Sequence, residues 1–153
     1  LALDRVPWKK CWLGVGIAMA NILLAILWVI SLRTLGFQAE SQSIVQQIQA
    51  SSSLQWWGFF AFVVLGAPFI EELLFRGFFW YALRRHLQLK WTILWTAFMF
   101  GLIHFDTLHA VIPLMLFGVG LGWLRWKSDS LWIPILAHSC NNVWVILNLE
   151  IYS

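Results

Sequence analysis

From Cys11 to Leu32 the sequence has no Asp, Glu, Lys or Arg. At about 1.5 Å per residue, a helix of that length crosses the roughly 30 Å hydrocarbon core of a bilayer. Further apolar runs follow at about 54–83, 91–105, 107–124 and 131–149, the first of them interrupted by charges. The expected fold is therefore all-α, a polytopic transmembrane helix bundle of about five spanning segments, forming a single transmembrane domain over residues 1–153. No small-residue cleavage pattern follows the first run, so it is expected as a retained helix rather than a signal peptide. The sequence starts at Leu1 rather than Met, and further residues are expected ahead of it.

Composition points the same way, with 61% hydrophobic and only 11% charged residues, where soluble domains have about a quarter charged. The net charge of +3 does not point to nucleic acid, because the basic residues cluster at the ends of apolar runs, as membrane anchors do. No nucleic-acid partner is expected; membrane lipids are. Cys11 and Cys140 have no metal-type spacing and read as packing residues. The Gln- and Ser-rich stretch at 37–53 is expected to be a loop or a short interfacial helix. The small residues of "GVGLG" at 118–122 suit close helix packing.

Lys and Arg set the orientation. Arg5, Lys9 and Lys10 precede the first run, Arg84, Arg85 and Lys90 separate the second from the third, and Arg125 and Lys127 separate the fourth from the fifth. The N-terminus is therefore expected on the cytoplasmic side. Trp8, Trp12, Trp91, Trp123, Trp126 and Trp132 fall near those same ends, and Trp56 and Trp57 near an outer end, as indoles at the headgroup level would.

Against that background "APFIEELLFRG" at 67–77 stands out, because it sets Glu71, Glu72 and Arg76 inside an apolar run. A lone charge near the bilayer centre costs roughly 2.5–3.5 kcal/mol on insertion scales, so such groups mark function or pairing. Counted from the nearest anchors, Glu71 lies ~20 Å deep, His104 ~21 Å, His138 ~16 Å and Asn142 ~22 Å. Three helices thus bring polar groups to one layer, with Pro68 and Gly66 expected to bend the second. Glu72 and Arg76, four apart, face each other and neutralise one another. Glu71 points about 100° away and has no local cation, which suits a proton carrier or general base. His138 and Asn142, also four apart, share a face, and His104 comes from a different helix. A carboxylate with an imidazole can activate water while a second imidazole and an amide hold an oxyanion. Two His and one Glu (Glu71, His104, His138) could equally hold a zinc ion, although HExxH is absent. His86, Asp106 and His109 are expected to be solvated.

The motifs EExxxR (Glu71, Glu72, Arg76), FxxxH (Phe100, His104) and HxxxN (His138, Asn142) occur in this order, each in an apolar run. With them the sequence resembles the CPBP intramembrane protease family, which comprises the type II CAAX prenyl endopeptidases and the bacteriocin-processing, immunity or abortive-infection proteins. The resemblance covers about 55–149, the family's core. It implies a glutamate-type endopeptidase: Glu71 as general base activating water together with His104, His138 and Asn142 forming the oxyanion site between them, and Glu72 with Arg76 in support. The family is often described as metal-dependent, so zinc and metal-free water activation both stand. The resemblance also implies a cavity reached by a peptide or protein substrate from the membrane or the cytoplasmic side, lipidated or not. Two other readings compete: a non-catalytic membrane scaffold or bacteriocin-immunity protein on the same fold, and a proton-coupled carrier, which five spans without internal repeats suit poorly.

Overall fold

The computed structural model describes residues 3, 7–37, 52–105 and 108–148, and every regular element among them is helical. Among the described residues five helices follow one another: α1 (Cys11–Thr34) after a single 3-10 turn, α2 (Ser53–Arg84), α3 (Leu89–Leu102), α4 (Leu108–Ser128) and α5 (Trp132–Leu147). Among the described residues, α1, α2 and α4 are long and apolar enough to cross a membrane, whereas α3 and α5 are shorter apolar helices of 14 and 16 residues. Five apolar segments are thus present as expected, three of them with full spanning length. The body of the Gln/Ser-rich stretch, 38–51, and Asp106 lie outside the described residues.

Local chemistry sets the helix ends. α1 stops at Gly36, whose φ of 84° is open to a residue without Cβ. There Phe37 N–H reaches Leu32 C=O and Gly36 N–H reaches Arg33 C=O, both at 3.0 Å, the paired bonds of a Schellman termination. α2 begins with a capping box in which Ser52 N–H bonds Gln55 Oε1 at 3.1 Å.

α2 is continuous but not uniformly α-helical, because π turns occupy Phe62–Gly66 and Leu73–Phe79. In the first, Ala67 N–H bonds Phe62 C=O five residues back. The next acceptor in that register is Val63 C=O and the next donor would be residue 68, which is Pro and has no N–H. Val63 C=O instead accepts from Asn142 Nδ2 of α5 at 2.9 Å. The same thing happens in α4. Pro113 takes the donor away from His109 C=O, which accepts from Trp28 Nε1 of α1 at 2.7 Å. In the second π turn, Trp80 N–H bonds Gly77 and Phe75 and passes Arg76 C=O by; that carbonyl accepts from Arg125 Nε of α4 at 3.2 Å. Apolar surroundings make an unanswered carbonyl costly, so each interruption is covered by a neighbouring helix.

The helices approach closely where glycines permit. A Cβ on Gly118 would lie 2.9 Å from Ala97 Cα, and one on Gly122 3.1 Å from Ile93 Cγ2, so this edge of α4 lies flat on α3. Gly120 faces Ile17 of α1 and Gly14 of α1 faces the Ile133 carbonyl of α5. Lipid tails are as apolar as leucine, so such close packing is what holds helices together in a membrane. A buried cluster of Phe75, Phe100, Phe117, Leu121, Leu124, Ile133 and Ala137 fills the centre. Asn21 Nδ2 donates to Asn141 Oδ1 at 2.9 Å, joining α1 to α5. Cys11 and Cys140 are free and half-buried.

Candidate active site

The charged residues of α2 lie against this centre. Glu72 and Arg76 form an ion pair at 3.0 Å, and both side chains are fully buried. Arg76 Nη2 also donates to Gly118 C=O at 2.8 Å, and the guanidinium sits 4.8 Å from the Phe100 ring centre. Gly118 therefore both lets α3 approach α4 and offers its carbonyl to the arginine.

His138 on α5 stands between the two glutamates. Its Nδ1 lies 3.0 Å from Glu72 Oε1, and because a carboxylate only accepts, Nδ1 carries the proton. Its Nε2 faces Glu71 Oε2 at 3.8 Å, beyond hydrogen-bond distance. Glu72 Oε1 thus receives both Arg76 and His138, a link between two motifs that helical spacing within α2 does not disclose. The side chain of Glu71 is 23% exposed, yet its Oε2 is buried with no hydrogen-bond partner. The two carboxylates, adjacent in sequence, have different surroundings: Glu72 is fully enclosed, with Oε1 shared by Arg76 and His138 and Oε2 unpartnered, while Glu71 is half-buried and free of any bonded cation.

His104 lies just past the end of α3. Its Nδ1 donates to Phe100 C=O at 2.9 Å, which leaves Nε2 as the acceptor in the neutral ring. No hydrogen bond joins His104 to Glu71 or His138 among the described residues; the two histidines meet through Phe100, whose ring centre is 5.2 Å from one and 5.4 Å from the other. Phe100 is fully buried and also touches Phe75 and Arg76, so this aromatic residue is the hub that gathers the site.

Asn142 sits one turn beyond His138, as the spacing predicts, but it is not an unengaged donor. The carbonyl that Pro68 leaves open takes one of its two amide protons. Asn141, its neighbour, belongs to the α1 contact. Sequence reasoning missed Arg125. Its position groups it with the basic anchors, yet it is 3% exposed and bonds Arg76 C=O, Tyr81 Oη and Asp129 Oδ1.

No three His, Cys, Asp or Glu side chains among the described residues are grouped to hold a metal ion. Glu71 and His138 approach each other, but His104 does not complete a set with them. A cavity of about 70 Å³ between α1, α4 and α5, lined in part by Asn21, Trp28, Pro113 and Asn141, contains none of the charged residues.

Residues 53–144, from the start of α2 almost to the end of α5, match the family model of type II CAAX prenyl endopeptidase Rce1-like proteins. The chain belongs to the Rce1-like family. This Rce1-like protein is also 28% identical over 80 residues to the "Putative membrane peptidase YdiL" of Bacillus subtilis (strain 168), a stretch that is 52% of this sequence and 32% of that protein. The match thus spans about a third of that relative's length. No solved structure matches. Family and apolar helices together make this a membrane protein of the CAAX-protease type. α1 precedes the matched residues, although its Trp28 and Asn21 bond to α4 and α5 within them.

Proposed function

We propose that the protein is an intramembrane endopeptidase that hydrolyses a peptide bond with activated water, and that Glu71 is its general base. The observation that carries this reading is the contrast between the two carboxylates. Glu72 is enclosed by Arg76 and His138, while Glu71 has one oxygen facing His138 without a hydrogen bond and a side chain that is partly open. Two neighbouring carboxylates in unlike surroundings divide into a structural and a reacting partner.

The roles follow from which atoms hold protons. His104, with Nδ1–H committed to Phe100, offers an Nε2 lone pair and stands with Glu71 on the base side. Glu71 takes a proton from water as the oxygen adds to the substrate carbonyl carbon; in this step His138 is the imidazolium, Nδ1–H held by Glu72, so the resulting oxyanion accepts from His138 Nε2–H and the remaining N–H of Asn142. Glu71 then returns the proton to the departing amine, so no covalent enzyme intermediate forms. Glu72 fixes the imidazole through Nδ1 and Arg76 neutralises Glu72.

The substrate is a peptide or protein segment, prenylated or not, that enters from the membrane or the cytoplasmic side. The protein is oriented with its N-terminus cytoplasmic, in line with its Lys and Arg distribution, and residues 55–149 carry the protease core.

The test is cleavage of a mixed pool of prenylated and unprenylated peptides by detergent-purified protein beside Glu71→Gln and Glu72→Gln. Products are read by mass spectrometry, and metal content is measured in each sample. Products lost in folded Glu71→Gln support the hydrolase, and metal that follows the activity would bring zinc back. A folded wild type that yields nothing beyond Glu71→Gln removes the protease reading in favour of a scaffold.

A further inference from the structure

Arg125 is a second buried arginine, and it touches none of the reacting groups. Its Nε donates to the backbone C=O of Arg76, Nη2 to Tyr81 Oη at 3.1 Å, and Nη1 to Asp129 Oδ1 at 3.2 Å. The guanidinium lies 5.8 Å from the Trp80 ring centre and 5.7 Å from that of Tyr81. Asp129 is 95% exposed and screened, so that pair contributes little. The contacts that enclose the arginine, at Arg76, Trp80 and Tyr81, come from α2, within its second π turn and just after it.

Arg76 is therefore tied to α4 twice. Its side chain reaches Gly118 C=O, and its backbone carbonyl receives Arg125 from two helical turns further along α4. Closing a π turn to α geometry rotates everything on one side of it relative to the other. Here such a rotation would carry Arg76 away from Glu72 Oε1, the atom that also holds His138 Nδ1.

We propose that Arg125 is a positioning residue for the Glu/His site: by holding the Arg76 carbonyl it keeps the π turn of α2 open, so that Glu72 stays under His138. The proposal rests on the reading of that cluster as the reacting site, and its action runs through Arg76 and Glu72 alone. Arginine suits the task because its planar fork serves the carbonyl and the tyrosine hydroxyl in a fixed geometry; the compact ammonium of lysine has no such fork.

The test uses full-length protein in micelles, labelled with ¹⁵N-histidine, as wild type, Arg125→Gln, Arg125→Lys and Tyr81→Phe. The readout is the His138 Nδ1–H signal, assigned by its loss in His138→Gln, together with kcat and KM on any substrate that the wild type cuts. In Arg125→Gln the signal is expected to broaden or to shift toward its position in Glu72→Gln. kcat falls about tenfold while KM stays within about twofold, since a group moved by less than an ångström loses rate before it loses binding. Arg125→Lys recovers part of both, and Tyr81→Phe moves both in the same direction by a smaller amount, about threefold in kcat. An unchanged His138 signal in folded Arg125→Gln overturns the proposal, as does a shifted signal with an unchanged kcat. If Arg125→Gln does not fold, Tyr81→Phe decides, and an unchanged signal there overturns it equally. If the wild type cuts nothing, the protease reading falls while the His138 signal still decides whether Arg125 positions the cluster.

Discussion

Pro68 and Asn142 are far apart in sequence, yet the bond between Asn142 Nδ2 and Val63 C=O makes them one device. In Asn142→Leu, which keeps the volume but has no amide, Val63 C=O has neither a helical donor nor a side-chain one. A buried acceptor left open costs about 1–3 kcal/mol, and polar contacts in bilayers come out lower, about 0.6–1.7 kcal/mol. A loss of about 1.2 kcal/mol is expected, roughly an eightfold change in the unfolding constant. Pro68→Ala returns an N–H to position 68, within reach of that carbonyl, so the same Asn142→Leu change in the Pro68→Ala background should cost less than about 0.4 kcal/mol. The coupling is read from reversible unfolding of the four proteins in mixed micelles, followed by helix content. Additive losses would refute the assignment of Asn142 to the orphaned carbonyl. Activity separates the second role: if Asn142 also serves an oxyanion, cleavage falls in Asn142→Leu whether or not Pro68 is present.

Removing one partner of the enclosed pair strands the other charge, so Glu72→Gln should destabilise by about 3 kcal/mol, whereas Glu71→Gln, with no bonded cation to strand, should stay within about 0.5 kcal/mol in the same unfolding assay. Gly118→Ala places a methyl against the Ala97 backbone and should cost roughly 1–3 kcal/mol; Gly58→Ala, which meets nothing, should be neutral or stabilising by about 0.5 kcal/mol. Trp28→Phe leaves His109 C=O without its indole donor and should lower stability by about 1 kcal/mol, a loss that shrinks when Pro113→Ala restores the helical donor.

The sequence made the helices legible because each apolar run is long and bounded by basic residues or turns, and the Glu72–Arg76 contact because four-residue spacing on one helix needs no tertiary knowledge. The glycines at 118–122 were legible as packing for the same reason. Contacts set by register were not. One residue of π insertion turns a helix face by about 100°, so neither the grip of His138 on Glu72 nor the carbonyls that Asn142 and Arg125 satisfy could be counted out from anchors. Arg125 looked like an anchor because it shares its stretch with Lys127, and its interior place comes from another helix, through the Arg76 carbonyl and the aromatic pair Trp80 and Tyr81. Pro68 and Pro113 were the available signal: each removes a donor inside a helix, and a polar side chain elsewhere answers the carbonyl left open.

α3 rises only about 21 Å over its 14 residues, some 9 Å less than an average hydrocarbon slab. Lipids beside it must shorten, tilt or draw their headgroups inward to meet its ends, a hydrophobic mismatch that longer neighbours such as α1 do not impose. His104 lies just beyond one of those ends. A bilayer that meets both ends of α3 is expected to thin on the side where a hydrolytic site would need its water, and thicker membranes are expected to resist that deformation and starve the site.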